Sequence, residues 1–371
     1  MQKKYFLILL YMVGTAIFLP GCKNTKNQAG AEPTPTPTVI PTATATPAVH
    51  TEKTIITPSL SENINPDQNL LWCATLQLAW NELFDLAEGP IAMENEPPVV
   101  TLLNQQKTLN LALDEASYLA KAGFVTPEIV KDLEETHQQK FPDQPFPQEL
   151  QGLPQNSLMA YAYLLKTLPF EWAFTRFTKP FNYQETPVAS FGLAQYMSGH
   201  PTDDNLARQV SVLDYQNGDD FILELHTTSQ ADRLILAKIS PAATLQATLD
   251  QVLKRVESAQ PTAMQNLETV IVPVIDLDRT RQFPELCGRK ITAPNAAING
   301  KALSLVEQRI QFRLDETGAV LESKAVFVSA MPPRKFVFDK PFLLMLIRQD
   351  ASTPYFVLWV NNADILAPFT S

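Results

Sequence analysis

The chain has 371 residues, a net charge of −10 and 45% hydrophobic residues, enough to bury a large core in one big domain or two small ones. Its 12 glycines lie at least seven positions apart, which excludes the dinucleotide fingerprint G-x-G-x-x-G, the phosphate loop G-x-x-x-x-G-K-[ST] and the nucleophile elbow G-x-S-x-G. Four His without an H-E-x-x-H pair exclude a zincin, and 29 basic residues without a cluster give no footprint for nucleic acid.

Residues 1–21 read as an export signal. Lys3 and Lys4 precede the apolar run Tyr5 to Leu19, which at 15 residues is short for a bilayer span of ~20. The run ends in Leu19-Pro20-Gly21-Cys22, which resembles the lipobox of bacterial lipoproteins, with Pro20 as the departure. The resemblance implies cleavage before Cys22 and lipid on its thiol. The expected location is therefore the bacterial cell envelope. Lys23, where an Asp would retain the protein at the inner membrane, favours the outer membrane or cell surface.

A tether is expected next, over residues 22–64. Fifteen of the 28 residues from Ala31 to Pro58 are Thr or Pro, with no apolar stripe to bury. The folded part is expected over residues 65–371. Cys73 and Cys287 lie in it, and the sequence leaves open whether they form a disulfide or stay as buried thiols.

Asn65-Pro66-Asp67 predicts a helix start, followed at helical spacing by Trp72, Leu76, Ala79, Trp80, Leu83 and Ala87 and stopped by Gly89. A second helix is predicted over Leu113 to Ala122, a third from Thr126 to about Lys140, and a later one over Pro241 to Ser258. Asn217-Gly218 predicts a hairpin between strands Val210 to Tyr215 and Phe221 to Leu225. Asp219-Asp220 beside it reads as a solvated turn. Further strands are predicted at Arg233 to Ile239 and at Val270 to Ile275, where Pro273 marks an edge or bulge. Arg309 to Leu314 alternates as a half-buried strand, and the apolar runs Phe342 to Ile347 and Tyr355 to Val360 read as strands buried on both faces. Helices first and strands later, without regular alternation, predict an α+β fold.

One specific resemblance lies in the C-terminal third. Leu314-Asp315-Glu316-Thr317-Gly318 stands 20 residues before Phe338-Asp339-Lys340-Pro341-Phe342, with Pro332-Pro333 between them. This resembles the serpins, whose hinge precedes a reactive loop that returns through a Phe-x-x-Pro-Phe strand. Tyr161 to Phe174, Val212 to Tyr215 and Val272 to Ile275 resemble serpin strands in the same order. The resemblance implies a serpin-like multi-domain architecture of helices packed on mixed and antiparallel sheets. It implies no enzyme activity and no cofactor. The implied partner is a serine or cysteine protease, met by a monomer.

The serpin mechanism would run as follows. A protease attacks the loop, the loop inserts into a sheet that lacks a strand, and the acyl-enzyme is trapped. The hinge would then comprise Glu316, Gly318, Ala319, Leu321, Ser323 and Ala325, the last four facing inward on insertion. The bait would lie among Ala330, Met331, Pro332, Arg334 and Lys335. Counting back from Phe338 puts the cut at Ala330-Met331, counting forward from Gly318 puts it at Pro332-Pro333, and Arg334 or Lys335 would suit a trypsin-like enzyme. A different reading closes Arg309 to Leu314 and Ala319 to Val328 into a permanent hairpin, which makes the chain a non-inhibitory binding or structural envelope lipoprotein. An enzyme would need His137, His200 or His226 in a cleft with carboxylates.

Overall fold

The computed structural model describes residues 52–108, 113–317 and 333–370. In chain order its elements are β1 (Thr54–Thr57), β2 (Asn69–Cys73), α1 (Thr75–Leu86), β3 (Ala92–Met93), α2 (Pro98–Gln105), β4 (Tyr118–Phe124), α3 (Pro127–Lys140), β5 (Leu158–Thr167), β6 (Thr175–Arg176), β7 (Phe181–Tyr183), β8 (Thr186–Val188), β9 (Ser190–Leu193), α4 (Pro201–Arg208) and β10 (Val210–Asn217). They continue as β11 (Asp220–Leu225), β12 (Asp232–Lys238), α5 (Leu245–Glu257), β13 (Thr262–Ala263), β14 (Thr269–Pro273), β15 (Ile275–Gln282), β16 (Ile291–Thr292), β17 (Leu303–Leu314), β18 (Lys335–Val337), β19 (Phe342–Arg348) and β20 (Phe356–Val360). The fold is α+β.

Three sheets carry the architecture. The largest runs β1-β2-β20-β19-β12-β11-β10-β13. Its middle strands, β19 and β20, are buried from Phe342 to Ile347 and from Phe356 to Val360, as their unbroken apolar runs predict. A four-stranded sheet runs β4-β5-β17-β15, and another runs β18-β14-β9-β6. Helices α1 and α3 cover opposite faces of β4 and β5. Leu158, Ala160 and Ala162 pack with Leu76, Trp80 and Leu83 of α1. Met159, Tyr161 and Tyr163 pack with Leu133 of α3. Period-two alternation on β5 thus serves two different cores.

Local chemistry places the helices that the sequence predicts well. The Thr126 hydroxyl accepts from the Ile129 N–H ahead of Pro127, and the Thr244 hydroxyl accepts from the Ala247 N–H at the start of α5.

Four expectations are corrected. The folded unit begins before residue 65: β1 pairs in parallel with β2, Thr54 to Asn69 through Thr57 to Trp72. Asn65-Pro66-Asp67 starts no helix. Asn69–Cys73 is a strand buried at every position between β1 and β20, and α1 begins only at Thr75. The predicted helix over Leu113 to Ala122 gives way to β4, because Leu119 faces α3 while Ala120, Ala122 and Phe124 face α1, a period of two. Finally, β14 has a partner on each side, so Pro273 marks no edge strand. It ends β14 at the point where the chain crosses from one sheet to the next at Ile275.

The Asn69 side chain ties β1 to the rest, donating to Thr54 Oγ1 at 2.9 Å and accepting from the Asn361 and Asn362 N–H groups. A chain trimmed to start at Asn65 loses this strand and the burial of Ile56. Its unfolding free energy falls by about 3 kcal/mol relative to a chain starting at Glu52, measured by urea denaturation. Equal stability of the two chains would refute this account of β1.

Candidate functional site

The segment with the serpin resemblance begins where β17 ends. β17 is an inner strand with both edges filled. β15 pairs with it from Gln282–Glu307 to Ile275–Leu314, and β5 pairs with it in parallel from Leu158–Leu303 to Thr167–Arg313. Along Arg309 to Leu314 β17 is thus paired on both edges, and Ala319 to Val328, the other half of the alternative hairpin, lie outside the described residues. Because β5 and β17 are parallel, both end at the same side of the sheet. There the 168–174 segment meets residues 315–317.

That meeting is a clasp. Asp315 turns the chain, accepting from Arg313 Nε at 2.6 Å and from the Thr317 N–H at 3.0 Å. Burial alone would raise the Asp315 pKa, but its bonds to Thr317 and Arg313 hold the carboxyl below the ordinary range. The Glu316 carbonyl accepts from the Phe174 N–H at 3.0 Å, and the Thr317 carbonyl accepts from the Phe170 N–H at 2.8 Å. The Glu316 carboxylate lies 2.7 Å from Arg176 Nη1. Phe170, Phe174 and Phe191 are buried together, with the first two rings 4.8 Å apart in edge contact. Gln209 pins the same loop from behind, accepting from the Trp172 N–H at 2.7 Å and donating to the Trp172 carbonyl at 2.9 Å.

Beneath the clasp, β5 is tied to the large sheet by a buried ion pair. Lys166 Nζ lies 2.8 Å from Asp232 Oδ2, with side chains 7% and 1% exposed. Ser229 and Tyr355 donate to the same carboxylate. Burial alone would raise the Asp232 pKa, but the bonds and charge of Lys166, with Ser229 and Tyr355, outweigh it and hold the carboxyl low. On the outer face, Arg309 forks onto Asp278 at 3.1 and 2.8 Å and links β17 to β15. His137, on α3, is buried against Tyr163, Phe141 and Phe146.

Pro333 and Arg334 lead into β18. Arg334 forks onto Glu268, with Nη2 to Oε2 at 3.1 Å, and its guanidinium lies 5.5 Å from the Tyr215 ring centre and 5.3 Å from that of Phe336. Lys335 opens β18 and pairs in parallel with Thr269 of β14. Both bait candidates are thus built into the body of the protein. Phe336, Phe338 and Phe342 are fully buried, and their rings meet Phe221 or each other at 5.0–5.4 Å. Lys238, with its side chain 3% exposed, holds this return, donating to the Val337 carbonyl at 2.9 Å and to Asp339 Oδ1 at 2.6 Å. The Asp219-Asp220 turn is exposed, as the solvated-turn reading expects, and its carboxylates also pair at the surface, Asp219 with Lys238 and Lys340 and Asp220 with Arg255.

Of the other candidates, Cys22, Gly318, Ala319, Leu321, Ser323, Ala325, Ala330, Met331 and Pro332 lie outside the described residues. Cys73 and Cys287 are free thiols in separate surroundings, Cys73 beside the Thr75 hydroxyl and Cys287 donating to the Phe283 carbonyl, so the disulfide does not form. Burial pushes the Cys73 thiol up to about 11 and leaves it inert. The three histidines stand apart: His137 under α3, His200 with its Nδ1 3.7 Å from Asp203, and His226 on the Ser211 hydroxyl at 2.8 Å.

No protein-family model matches the chain, and no curated protein matches it. Solved structures do. A highly specific serpin of the insect Tenebrio molitor is 14% identical, over 81% of this chain and 92% of that chain, with a TM-score of 0.42. A tumour-suppressing serpin is 12% identical, over 79% and 92%, with a TM-score of 0.47. Serpin-12 of Manduca sexta, a serine protease inhibitor, is also 12% identical over 79% and 92%, with a TM-score of 0.47. The chain is similar to serpins.

Sequence reasoning missed Phe170, Phe174, Arg176, Lys166, Asp232 and Glu268. The signal was partly there: a lysine closing an apolar strand, as in Leu164-Leu165-Lys166, needs a buried partner. Asp232→Asn leaves Lys166 only the longer ion pair to Asp114 at 3.8 Å and lowers the unfolding free energy by about 3 kcal/mol. Because the folded-state pKa of Asp232 is depressed, the stability it contributes is present above its unfolded pKa of about 3.9 and is lost as pH falls below it. Urea midpoints at pH 7 and pH 3 check both points. The variant deficit at pH 7 shrinks in acid, whereas a deficit that is independent of pH would contradict the ion-pair account.

Proposed function

We propose that this chain is an exported, lipid-anchored, serpin-like trap for a serine or cysteine peptidase, with residues 318–332 as bait. The observation that carries the reading is the parallel pair β5–β17, closed along its length and clasped where β17 gives way to residues 315–317. A strand that turned back at the hinge would run antiparallel to both neighbours, and that is strand addition to a sheet. Cleavage in the bait would release it from the return anchored at β18 and leave its N-terminal part tethered to β17. The outward positions Glu322 and Lys324 would stay in water on insertion, while Ala319, Leu321, Ser323 and Ala325 would be buried.

Trapping is a race between insertion and deacylation. Serpin-like inhibitors carry small residues after the hinge, and Val320 and Leu321 are larger, so this trap runs slowly and releases part of its peptidase. The bait bond in this reading is Ala330-Met331. The alternative, a non-inhibitory binding or structural envelope lipoprotein on the same scaffold, would form no adduct with any peptidase. Export and lipid attachment at Cys22 would hold the trap on the envelope surface, with palmitate labelling of the full chain expected and its loss in Cys22→Ser.

Incubation with serine and cysteine peptidases tests the trap. The expected result is an adduct that survives denaturing electrophoresis, in a fraction that rises in Leu321→Ala. Cleavage of the bait with no adduct for any peptidase would overturn the reading.

A further inference from the structure

Arg334-Lys335 is the one dibasic bond near the bait, and the protein withholds it. The Arg334 side chain forks onto Glu268, whose side chain is only 2% exposed, and rests against the rings of Tyr215 and Phe336, which are themselves in edge contact 5.4 Å apart. Glu268 is itself fixed, because its Oε2 also accepts from the Gln265 N–H at 2.7 Å. The residue after the bond is committed too, since Lys335, Phe336 and Val337 pair with Thr269, Val270 and Ile271 of β14.

A peptidase must draw its substrate into an extended cleft and place the side chain before the scissile bond in its own pocket. At Arg334 that would require breaking a bidentate pair to a buried carboxylate, lifting the guanidinium off two rings and stripping β18 from its sheet. The remaining basic residue of the bait, Lys324, stands six positions after Gly318. A chain cut there would keep an inserted strand shorter than the ten residues of β5.

We infer that the Glu268–Arg334 clamp is a specificity determinant: it keeps the Arg334–Lys335 bond from a visiting peptidase, so the trap takes an enzyme that cuts after a small or apolar residue rather than after a basic one. The inference rests on the reading of residues 318–332 as bait, and it adds the class of the partner.

Trypsin on the native full-length chain, with fragments mapped by mass spectrometry, tests it. Cleavage at Arg334–Lys335 is expected at least about a hundredfold slower than in a synthetic peptide of residues 326–341, and Glu268→Gln recovers at least about tenfold. Cleavage at Arg233 and Arg255, both in the folded body, reports whether the variant has simply unfolded; if it has, the wild-type-to-peptide ratio alone decides. A wild-type rate within tenfold of the peptide would overturn the inference. Adduct formation is a separate readout. A chain that traps a peptidase but is cut freely at residue 334 sinks only the clamp, and a chain that resists trypsin there but traps nothing sinks the trap.

Discussion

Everything proposed for this protein depends on one pairing, that of β5 with β17. It is parallel, it joins the two inner strands of the four-stranded sheet, and it brings their C-terminal ends to the same side as the hinge. A strand added between them would replace one ladder by two. At a net ~0.5–1.5 kcal/mol per hydrogen bond, a strand of eight to ten residues would contribute on the order of 5–10 kcal/mol. That is comparable to the whole stability of a typical domain, so the closed sheet can store a usable difference only if something holds it closed. The clasp at residues 315–317, the Lys166–Asp232 pair below it and α3 packed across the outer face are the groups that do so.

The residues that flank 318–332, the proposed bait, are held by different physics. The hinge end is held by backbone hydrogen bonds to Phe170 and Phe174 and by the half-exposed Arg176–Glu316 pair, contacts that can be exchanged at small cost. The return end is held by a buried carboxylate at Glu268, three buried phenylalanines and the Lys238 cluster. The proposed trap, which must move at one end and stay at the other, would need this asymmetry, with the strong anchor on the side that would remain behind after cleavage.

Much of this was legible in the sequence. The strands with unbroken apolar runs and the helices with a Thr cap and Pro or good spacing behind it came out where they were expected, because local pattern and tertiary demand agree there. The elements that failed are those where they disagree. Tyr118–Phe124 carries enough alanine to read as a helix, yet it is sandwiched between two helices and must alternate. Asn69–Cys73 reads as the front of a helix because Trp72 and Trp80 share a spacing, although one faces a sheet and the other lies on α1. For the site, the hinge and the Phe338–Phe342 return were expectations carried by a resemblance. The clasp was not legible, because Phe170, Phe174 and Arg176 meet residues 315–317 across about 140 positions of chain, and no local pattern encodes that. Arg334 was a bait candidate by composition alone, and its partner Glu268, 66 positions upstream, was not legible there.

The most direct test of the account is the melting temperature of the chain before and after a single cut in the bait between Val326 and Met331. If the closed β5–β17 pair stores the difference described here, cleavage lets the freed strand enter the sheet, and the cut protein melts clearly higher than the intact one. An unchanged or lower Tm after a clean cut would mean that the sheet accepts no strand, and the trap would fall with it.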